Sequence, residues 1–234
     1  MSLRKNEKTN FNPQLTQTGM NYLYLVIEVV LAYLIGSVNP AVWIGNTFYK
    51  VDIRKHGSGN AGATNVIRVL GYKAGIPVLL FDVFKGWFAV QLVTMFHAGV
   101  TTEENLIYVK IALALAAVIG HVFPVFASFK GGKGVGTLAG AGIAVFPLPF
   151  LCVLGVFIIT LAISRYVSLS SLLAGLSLPF FVLFFTHPFH PGLMILALMV
   201  AVFIPVTHRK NIRRLLKGEE NKFDFKRKKK EGTA

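Results

Sequence analysis

A polar, glycine-rich run, SGNAGATN, lies between two strongly apolar stretches and carries residue types that bind anions. Glycine tolerates the positive backbone φ that turns successive N–H groups toward one point, where a phosphate can bind. Hydroxyl and amide side chains add donors, and a following arginine offers a bidentate cation. A merely flexible loop is the alternative, but the density of donors favours a site. The candidates in this first polar block (residues 58–68) are Ser58, Gly59, Asn60, Thr64, Asn65 and Arg68.

A second polar block (residues 129–137), FKGGKGVGT, repeats this chemistry. Gly132 and Lys133 lie just before a helix predicted to begin at about Val135, whose free N–H groups and positive end attract an anion. The block is not a P-loop, because Gly134 stands where that motif requires Ser or Thr. We therefore predict a second phosphate-binding loop here.

A third polar group follows the last apolar stretch, in THRKNIRR. His208 and Asn211 are three positions apart and would share a helix face, so both are candidates for the same site. For Arg213 and Arg214 we expect only the usual positive end of a membrane span, and Arg209 lies between the two interpretations.

Two ionisable residues, Asp82 and Lys85, lie inside an apolar stretch at a spacing that brings them together on one helix face. Charged groups in such a position are costly unless they are paired. We predict a structural ion pair in preference to a catalytic dyad.

The composition identifies a lipid bilayer as the environment of these elements. The 234 residues are 54% hydrophobic, and their mean hydropathy is +0.61. Only 15% are charged, so the net charge of +14 reflects a shortage of acids, and nucleic acid is not an expected partner. The one cysteine, Cys152, can form no intrachain disulfide.

The apolar stretches divide into membrane spans when each is compared with the roughly 20 residues that a spanning helix needs. The longest, residues 135–163, is interrupted by Pro147-Leu148-Pro149, which we predict to be a tight external turn between two short helices. If it were a single tilted span, the count would fall from seven to six. The predicted spans are 22–43, 74–96, 106–126, the two halves of 135–163, 171–185 and 193–206.

The distribution of Lys and Arg predicts the orientation. Basic residues occur in 50–73, at Lys130, Lys133 and Arg165, and from Arg209 onward, whereas 98–105 and 187–191 contain none. Because basic loops collect on the cytoplasmic side, seven spans place the N-terminus outside and the C-terminus inside. All polar blocks then share the cytoplasmic face. The predicted organisation is a polar N-terminal extension (1–20), a membrane domain (21–207) and a basic cytoplasmic segment (208–234).

Four blocks in this order and spacing resemble the bacterial acyl-phosphate:glycerol-3-phosphate acyltransferases of the PlsY family: SGNAGATNVIR, GHVFPVF followed by KGGKGVGT, RYVSLSS and HRKNIRRLLKGEE. The resemblance covers about residues 22–220. It implies an all-α integral membrane enzyme of seven helices in the cell inner membrane, with its active site facing the cytoplasm. It also implies transfer of a fatty acyl group from acyl phosphate to the 1-hydroxyl of glycerol 3-phosphate. The products would be lysophosphatidic acid and phosphate, in the first step of phospholipid synthesis.

The resemblance assigns roles to the candidate residues. It implies that residues of the first polar block bind acyl phosphate. It also implies that a second group of residues makes catalytic contacts to glycerol 3-phosphate. Other glycerolipid acyltransferases use a His followed five places later by Asp. No His in this chain has an Asp five positions after it. We therefore expect no covalent acyl-enzyme and favour a substrate phosphate oxygen as acceptor of the hydroxyl proton, with His208 second. The residues implied are Ser58, Gly59, Asn60, Thr64 and Asn65 for acyl phosphate, Arg68, Lys133, His208 and Asn211 for glycerol 3-phosphate, and Gly132, Ser168 and Ser171 as further contacts.

The expected partners are the two phosphorylated substrates and the bilayer, with no cofactor, no metal and no obligate protein partner. The basic tail, which contains KRKKK, is expected to be attracted to anionic lipid. A small transporter for phosphorylated metabolites is the competing class. Such a protein would place polar groups near the bilayer midplane and would show interrupted helices in inverted halves.

Overall fold

The computed structural model describes residues 13–96 and 102–225, and within these residues the chain is helical, with no β-strand. Two short 3-10 turns, Ile53–Lys55 and Val125–Ala127, lie in the connections. The predicted basic tail after residue 225 and most of the predicted N-terminal extension lie outside the described residues. The helices are α1 (Pro13–Ser37), α2 (Pro40–Tyr49), α3 (Ala63–Leu70), α4 (Tyr72–Phe96), α5 (Glu103–Val122), α6 (Val135–Val145), α7 (Pro147–Ser164), α8 (Val167–Phe185), α9 (Pro191–Thr207) and α10 (Arg209–Leu216).

Four helices in the described part, α4, α5, α7 and α8, are long and apolar enough to cross a membrane. Two bent pairs, α1 with α2 and α9 with α10, raise the number of candidate spans to six. Helix α6 is apolar but has only 11 residues. At 1.5 Å per residue it is about 16 Å long, roughly half of the hydrocarbon thickness. An all-α, multi-pass membrane protein follows from these lengths, and the seventh span stays a prediction.

The first predicted span, 22–43, is not one continuous helix. It is broken after Ser37 and bends by 40° into α2. Pro40 cannot donate a backbone hydrogen bond, and the side chain of Asn39 accepts one from the N–H of Val42 at 3.1 Å, which caps a new helix. The sequence did not reveal the break because its apolar pattern continues through it, and a single bent span over these residues stays a prediction.

The predicted interruption near Pro147 is present, but its position was predicted slightly too late. Helix α6 ends at Val145 and α7 begins at Pro147, so only Phe146 lies between them. The prolines belong to the first turn of α7, where a missing N–H costs nothing. The buried ring of Phe146 packs against Leu178 at this corner.

Glycines allow the helices around the site to approach closely. A Cβ atom on Gly86 of α4 would lie 2.1 Å from the carbonyl oxygen of Thr137, and one on Gly140 of α6 would lie 1.8 Å from that of Val83. Small residues at such crossings are the usual means of close packing in membranes. Helix α4 and helix α6, which carry two sides of the site, are therefore held in direct backbone contact.

Replacing Gly36 with alanine is expected to lower the free energy of unfolding by about 1–3 kcal/mol or more, the usual cost of overpacking. The new Cβ would lie 2.1 Å from the carbonyl oxygen of Ala117, so α1 and α5 would have to separate. The measurement is the thermal midpoint in detergent. Gly155→Ala is the matched control, because a Cβ there meets nothing within 4 Å. Equal midpoints for the two variants would contradict this packing.

Candidate functional site

The first polar block folds into a tight turn followed by a helix. Gly57 and Gly59 adopt positive φ values of 61° and 73°. Residues 63–70 form α3, a short helix that the sequence analysis did not identify. Eight residues between glycines give too little periodicity to separate a short helix from a turn.

Asn65 organises this turn. Its side-chain oxygen accepts from the N–H of Ser58 at 2.8 Å, and its amide nitrogen donates to the carbonyl oxygens of Ile53 at 3.1 Å and His56 at 3.0 Å. The side chain is buried, with 1% exposed. Asn65 was predicted to contact substrate, but its hydrogen bonds are used to shape the turn that presents Ser58 and Asn60.

Three of the glycine N–H groups in the two blocks are used in hydrogen bonds of the loops themselves. In the first block, the N–H of Gly59 donates to His56 O at 3.0 Å. In the second block, Gly131 and Gly132 donate to the last carbonyls of α5, those of Val122 and His121, at 3.1 and 3.2 Å. These contacts fix the loops, and the convergence of the remaining backbone N–H groups on one anion stays a prediction.

A salt-bridged arginine ties the two blocks to each other. The guanidinium of Arg54 contacts both carboxylate oxygens of Asp52, at 2.9 and 3.1 Å, and donates to the carbonyl oxygen of Ala127 at 3.0 Å. Ala127 belongs to the turn just before the second block. The charge-assisted pairing thereby holds the connection after α2 against the connection after α5.

Lys133 lies at the centre of a hydrogen-bonded network. Its ammonium donates to the side-chain oxygen of Asn211, whose amide nitrogen donates to Glu220 at 2.7 Å. Glu220 also accepts from Ser168 at 3.1 Å and from Arg214 at 2.6 Å. The second block, α8, α10 and the chain after α10 are thus joined around one carboxylate.

Burial sets the protonation of the site. Burial lowers the pKa of Lys133 to about 8, although the charge of Glu220 acts in the opposite direction. Burial, followed by the nearby charge of Lys133, lowers the pKa of His208 to about 4, so its imidazole is neutral at physiological pH. Although burial opposes ionisation of Glu220, hydrogen bonds from Arg214 and Asn211 hold the pKa of that carboxyl below its ordinary value.

The tautomer of His208 follows from its position between α9 and α10. Its Nδ1 lies 2.9 Å from the carbonyl oxygen of Ile204, which can only accept, so Nδ1 carries the proton. Nε2 is then an acceptor. His208 also marks a bend of 62° between the two helices, which places Asn211 beside the second block.

A cavity of about 760 Å³ connects these polar groups to an apolar region between α4, α6, α7 and α8. Leu80 and Phe84 on α4 line it and are 64% and 53% exposed, so its apolar side reaches the outer surface of the helices. Phe157 and Leu161 line it from α7. The cavity is therefore suited to an amphiphile with a polar head and an apolar chain.

Ten of the twelve predicted site residues line this cavity. Gly59 and Gly132 do not. Gly132 instead packs behind the loop, where a Cβ would lie 2.3 Å from Nε2 of His121. Ser171 lines the cavity, although its hydroxyl donates to Val167 O at 2.9 Å. The ten are Ser58, Asn60, Thr64, Asn65, Arg68, Lys133, Ser168, Ser171, His208 and Asn211.

Two residues of the site were missed by sequence reasoning. Arg214, which was predicted to be an ordinary positive end of a span, lines the cavity and pairs with Glu220. Glu220 was not considered, yet it accepts hydrogen bonds from three side chains. An acidic residue within a strongly basic segment was the signal that could have identified it.

The segment after α10 folds back over the site, and we name residues 217–225 the C-terminal strap. The N–H of Phe223 donates to the carbonyl oxygen of Arg165 at 2.6 Å. Tyr72 donates to the carbonyl oxygen of Asp224, and its ring lies edge-on to Phe223 with the centroids 6.0 Å apart. The strap therefore connects the start of α4 with the corner between α7 and α8, and carries Glu220 between them.

The predicted ion pair of Asp82 and Lys85 is confirmed as an ion pair, with an N–O distance of 2.8 Å and both side chains buried. His121 joins it, since its Nδ1 lies 3.3 Å from the same carboxylate oxygen. Among the described residues, no group of three or more His, Cys, Asp or Glu side chains could hold a metal ion.

The fold and the cavity define a multi-pass helical membrane protein with a basic site for an amphiphilic substrate. The sequence profile of the glycerol-3-phosphate acyltransferase family matches residues 26–218. The chain belongs to this family of membrane acyltransferases, the PlsY family, whose role is in phospholipid synthesis.

Curated relatives and solved structures agree with this membership. The chain is 45% identical over 224 residues to a glycerol-3-phosphate acyltransferase of Chlorobaculum tepidum, covering 86% of this chain and 97% of the relative. It is 44% identical over 197 residues to glycerol-3-phosphate acyltransferase 2 of Bacillus anthracis, covering 84% and 98%. A crystal structure of PlsY in its glycerol 3-phosphate form has a TM-score of 0.76 at 37% identity, covering 86% of this chain and 96% of PlsY.

Proposed function

We propose that this protein moves a fatty acyl group from acyl phosphate to the 1-hydroxyl of glycerol 3-phosphate. The single observation that carries the proposal is the cavity, which joins a basic polar end to an apolar region open at the outer surface of the helices. Glycerol 3-phosphate acylation is supported by the family, and crystal structures of PlsY are described as its glycerol 3-phosphate and lysophosphatidic acid forms. Lysophosphatidic acid and inorganic phosphate are the products.

The polar end divides between the two substrates by charge. Ser58, Asn60 and Thr64 offer neutral donors beside the apolar part of the cavity, which suits the head of acyl phosphate. Lys133 and Arg68 are cations on the cavity wall, which suits the phosphate of glycerol 3-phosphate. Asn211 and His208, both on that wall, are then placed to orient the glycerol hydroxyls.

The reaction forms one ester bond and breaks one acyl–phosphate bond. The 1-hydroxyl oxygen attacks the acyl carbon, and the leaving phosphate takes the electron pair of the broken bond. Because phosphate is already a good leaving group, positioning and stabilisation of negative charge supply most of the rate enhancement. Lys133, Arg68 and the donors of the first polar block provide that charge stabilisation.

A phosphate oxygen of the substrate accepts the hydroxyl proton in this proposal. The second ionisation of a phosphate monoester has a pKa of about 6, so the dianion is a stronger base than the imidazole of His208. The imidazole of His208 is a weak base because its pKa is about 4. His208 is thereby assigned to orienting the hydroxyl through Nε2.

His208→Gln is expected to reduce kcat by less than about 10-fold, short of the 10²–10⁴-fold that general-base catalysis supplies. Glutamine replaces the ring nitrogen by an amide that still hydrogen-bonds, so the larger effect falls on the KM for glycerol 3-phosphate. Steady-state kinetics at saturating acyl phosphate measure both constants. A loss of more than about 100-fold in kcat, with KM unchanged and the fold intact, would assign the proton to His208 instead.

The proposed topology has seven spans, an external N-terminus and a cytoplasmic site in the inner membrane. Cysteine substitutions at three exposed positions in or next to the polar blocks, His56, Lys130 and Lys210, test it in a Cys152→Ser background. A membrane-impermeant thiol reagent is expected to label all three only after the cytoplasmic side is opened. Labelling of any one from outside would contradict a single shared site.

A transporter is the competing function. Such a protein would need an interrupted helix beside polar groups, and this chain has one. The break between α1 and α2 lies beside the buried ion pair, because Lys85 donates to the carbonyl oxygen of Val38 at 2.7 Å. Membership of an acyltransferase family favours the enzyme, and the ion pair serves as a structural anchor for the break.

The deciding experiment uses purified protein in lipid with palmitoyl phosphate and glycerol 3-phosphate. Release of inorganic phosphate and formation of lysophosphatidic acid are expected in equal amounts. Palmitoyl-CoA in place of palmitoyl phosphate is expected to give no product. Product from palmitoyl-CoA would refute the donor, whereas product from neither donor would refute the proposed activity.

A further inference from the structure

Four buried polar side chains from three helices meet beneath the second polar block. Besides its contact with Lys85, the carboxylate of Asp82 lies 3.3 Å from Nδ1 of His121. The hydroxyl of Thr137 lies 3.0 Å from the same nitrogen. An ion pair requires only Asp82 and Lys85, so His121 and Thr137 need a further explanation.

The two halves of this cluster face different parts of the molecule. Lys85 points to the break between α1 and α2, where it meets the carbonyl oxygen of Val38. His121 points toward the second polar block and lines the cavity, which Lys85 does not. The two halves can therefore be separated by mutation.

The orientation of the His121 ring follows from its neighbours. The negative charge of Asp82 beside Nδ1 favours the ring proton on that nitrogen, which also shares a hydrogen bond with the hydroxyl of Thr137. The opposite edge, with Nε2, faces Gly132. A carboxylate that fixes the tautomer and angle of a histidine is a common way to set the position of its far nitrogen.

Gly132 packs directly on this ring edge. A Cβ there would lie 2.3 Å from Nε2 of His121 and 2.8 Å from the carbonyl oxygen of Ala61 in the first polar block. The N–H of Gly132 also donates to the carbonyl oxygen of His121 at 3.2 Å. His121 thus supports the loop through both its ring and its backbone.

We propose that His121, oriented by Asp82 and Thr137, is a positioning residue. It holds the second polar block where the ammonium of Lys133 can reach glycerol 3-phosphate. Lys133 follows Gly132 directly, so a shift of the loop moves its ammonium relative to Asn211. This inference rests on the proposed function. His121 acts through the loop, and its effect is expected on the binding of one substrate.

The test compares two isosteric substitutions of His121. In His121→Asn the amide nitrogen replaces Nδ1 and keeps the contact with Asp82, but the ring atoms around Nε2 that pack against Gly132 are lost. In His121→Gln the amide reaches the position of Nε2 and the edge is kept. We expect the KM for glycerol 3-phosphate to rise about 10-fold or more in His121→Asn and clearly less in His121→Gln. The KM for palmitoyl phosphate is expected to change less than about 2-fold in both.

Lys85→Gln is the matched control, because it alters the same buried cluster on the side away from the loop. It is expected to lower the thermal midpoint but to leave the KM for glycerol 3-phosphate within about 2-fold of wild type. Thermal stabilisation by added glycerol 3-phosphate, measured in detergent without acyl donor, gives a second readout that does not depend on turnover.

Each outcome decides the inference. A selective loss of glycerol 3-phosphate binding in His121→Asn supports it. Equal effects of His121→Asn and Lys85→Gln, equal effects on both substrates, or unfolding of both His121 variants would show a purely structural cluster and overturn it. Wild-type protein that binds glycerol 3-phosphate but forms no product would refute the proposed function while leaving the binding comparison valid.

Discussion

Lys133→Met is expected to lower kcat/KM for glycerol 3-phosphate by about 100- to 1,000-fold, the range seen when one preorganised charge-stabilising group is removed. Methionine has a similar length and keeps the apolar contacts of the stem. The change removes the ammonium that contacts Asn211 and faces the cavity. The free energy of unfolding should change little, because the cost of burying an ammonium is removed together with its hydrogen bond to Asn211, while Glu220 keeps Arg214.

The matched control is Lys130→Met in the same loop. Lys130 is exposed and is absent from the cavity lining, so its removal is expected to change kcat/KM by less than about 2-fold. Both enzymes are assayed with palmitoyl phosphate and glycerol 3-phosphate in the same lipid. Comparable losses in the two variants would mean that the loop contributes only a general positive potential.

The pH dependence of the wild type provides a second check on Lys133. Its pKa is about 8, and only the protonated amine attracts phosphate, so kcat/KM for glycerol 3-phosphate is expected to fall as pH rises through about 8. In Lys133→Arg the guanidinium stays charged throughout, so this alkaline fall should disappear from the profile, whatever the absolute activity. An unchanged alkaline fall in that variant would assign the titration to another group.

Glu220→Gln is the other change with a large expected effect. Glutamine can still accept from Asn211, but it removes the charge opposite Arg214 and leaves that guanidinium without its partner. Hydrogen bonds to a charged group contribute about 1.5–3 kcal/mol, so we expect a loss of that order in unfolding free energy. Activity should fall by about 10- to 100-fold, because a neutral amide that no longer pairs with Arg214 holds Asn211, and through it Lys133, less firmly.

Glu219→Gln is the control for Glu220. Glu219 is the adjacent, exposed acid. Thermal midpoints and kcat/KM are measured for both variants, and no change is expected for Glu219→Gln. The stabilising effect of Glu220 should be present above the unfolded-state pKa of about 4.3. Because the folded pKa is lowered, that effect is lost as pH falls through the folded value. A Glu220→Gln enzyme with wild-type stability at pH 7 would contradict the network.

The spanning helices were largely predictable because most of them are long apolar runs in a bilayer environment. The stop near Pro147 was also visible, since proline is a strong signal on its own. The break after Ser37 was not, because the residues on both sides are apolar and the cap by Asn39 is a local hydrogen bond. Apolar length alone cannot separate one span from two bent segments.

The site was predictable in its composition but not in its connections. Polar residues in apolar surroundings pointed to Ser58, Lys133 and Asn211, and all three line the cavity. Glu220 could not be placed, because its contacts with Ser168 and Asn211 form only when the chain folds back after α10. The use of glycine N–H groups within the loops likewise depends on neighbours that are distant along the chain.

The C-terminal strap has a consequence for biosynthesis. Its carboxylate at Glu220 is 52 positions beyond Ser168, and every candidate span precedes it. The ribosome synthesises the helices before the C-terminal strap. A nascent chain stopped before Glu220 would therefore be inserted into the membrane without the carboxylate that binds Asn211 and Arg214. The candidate site would then be complete only after the strap has been translated. Incomplete chains would therefore not react with acyl donors.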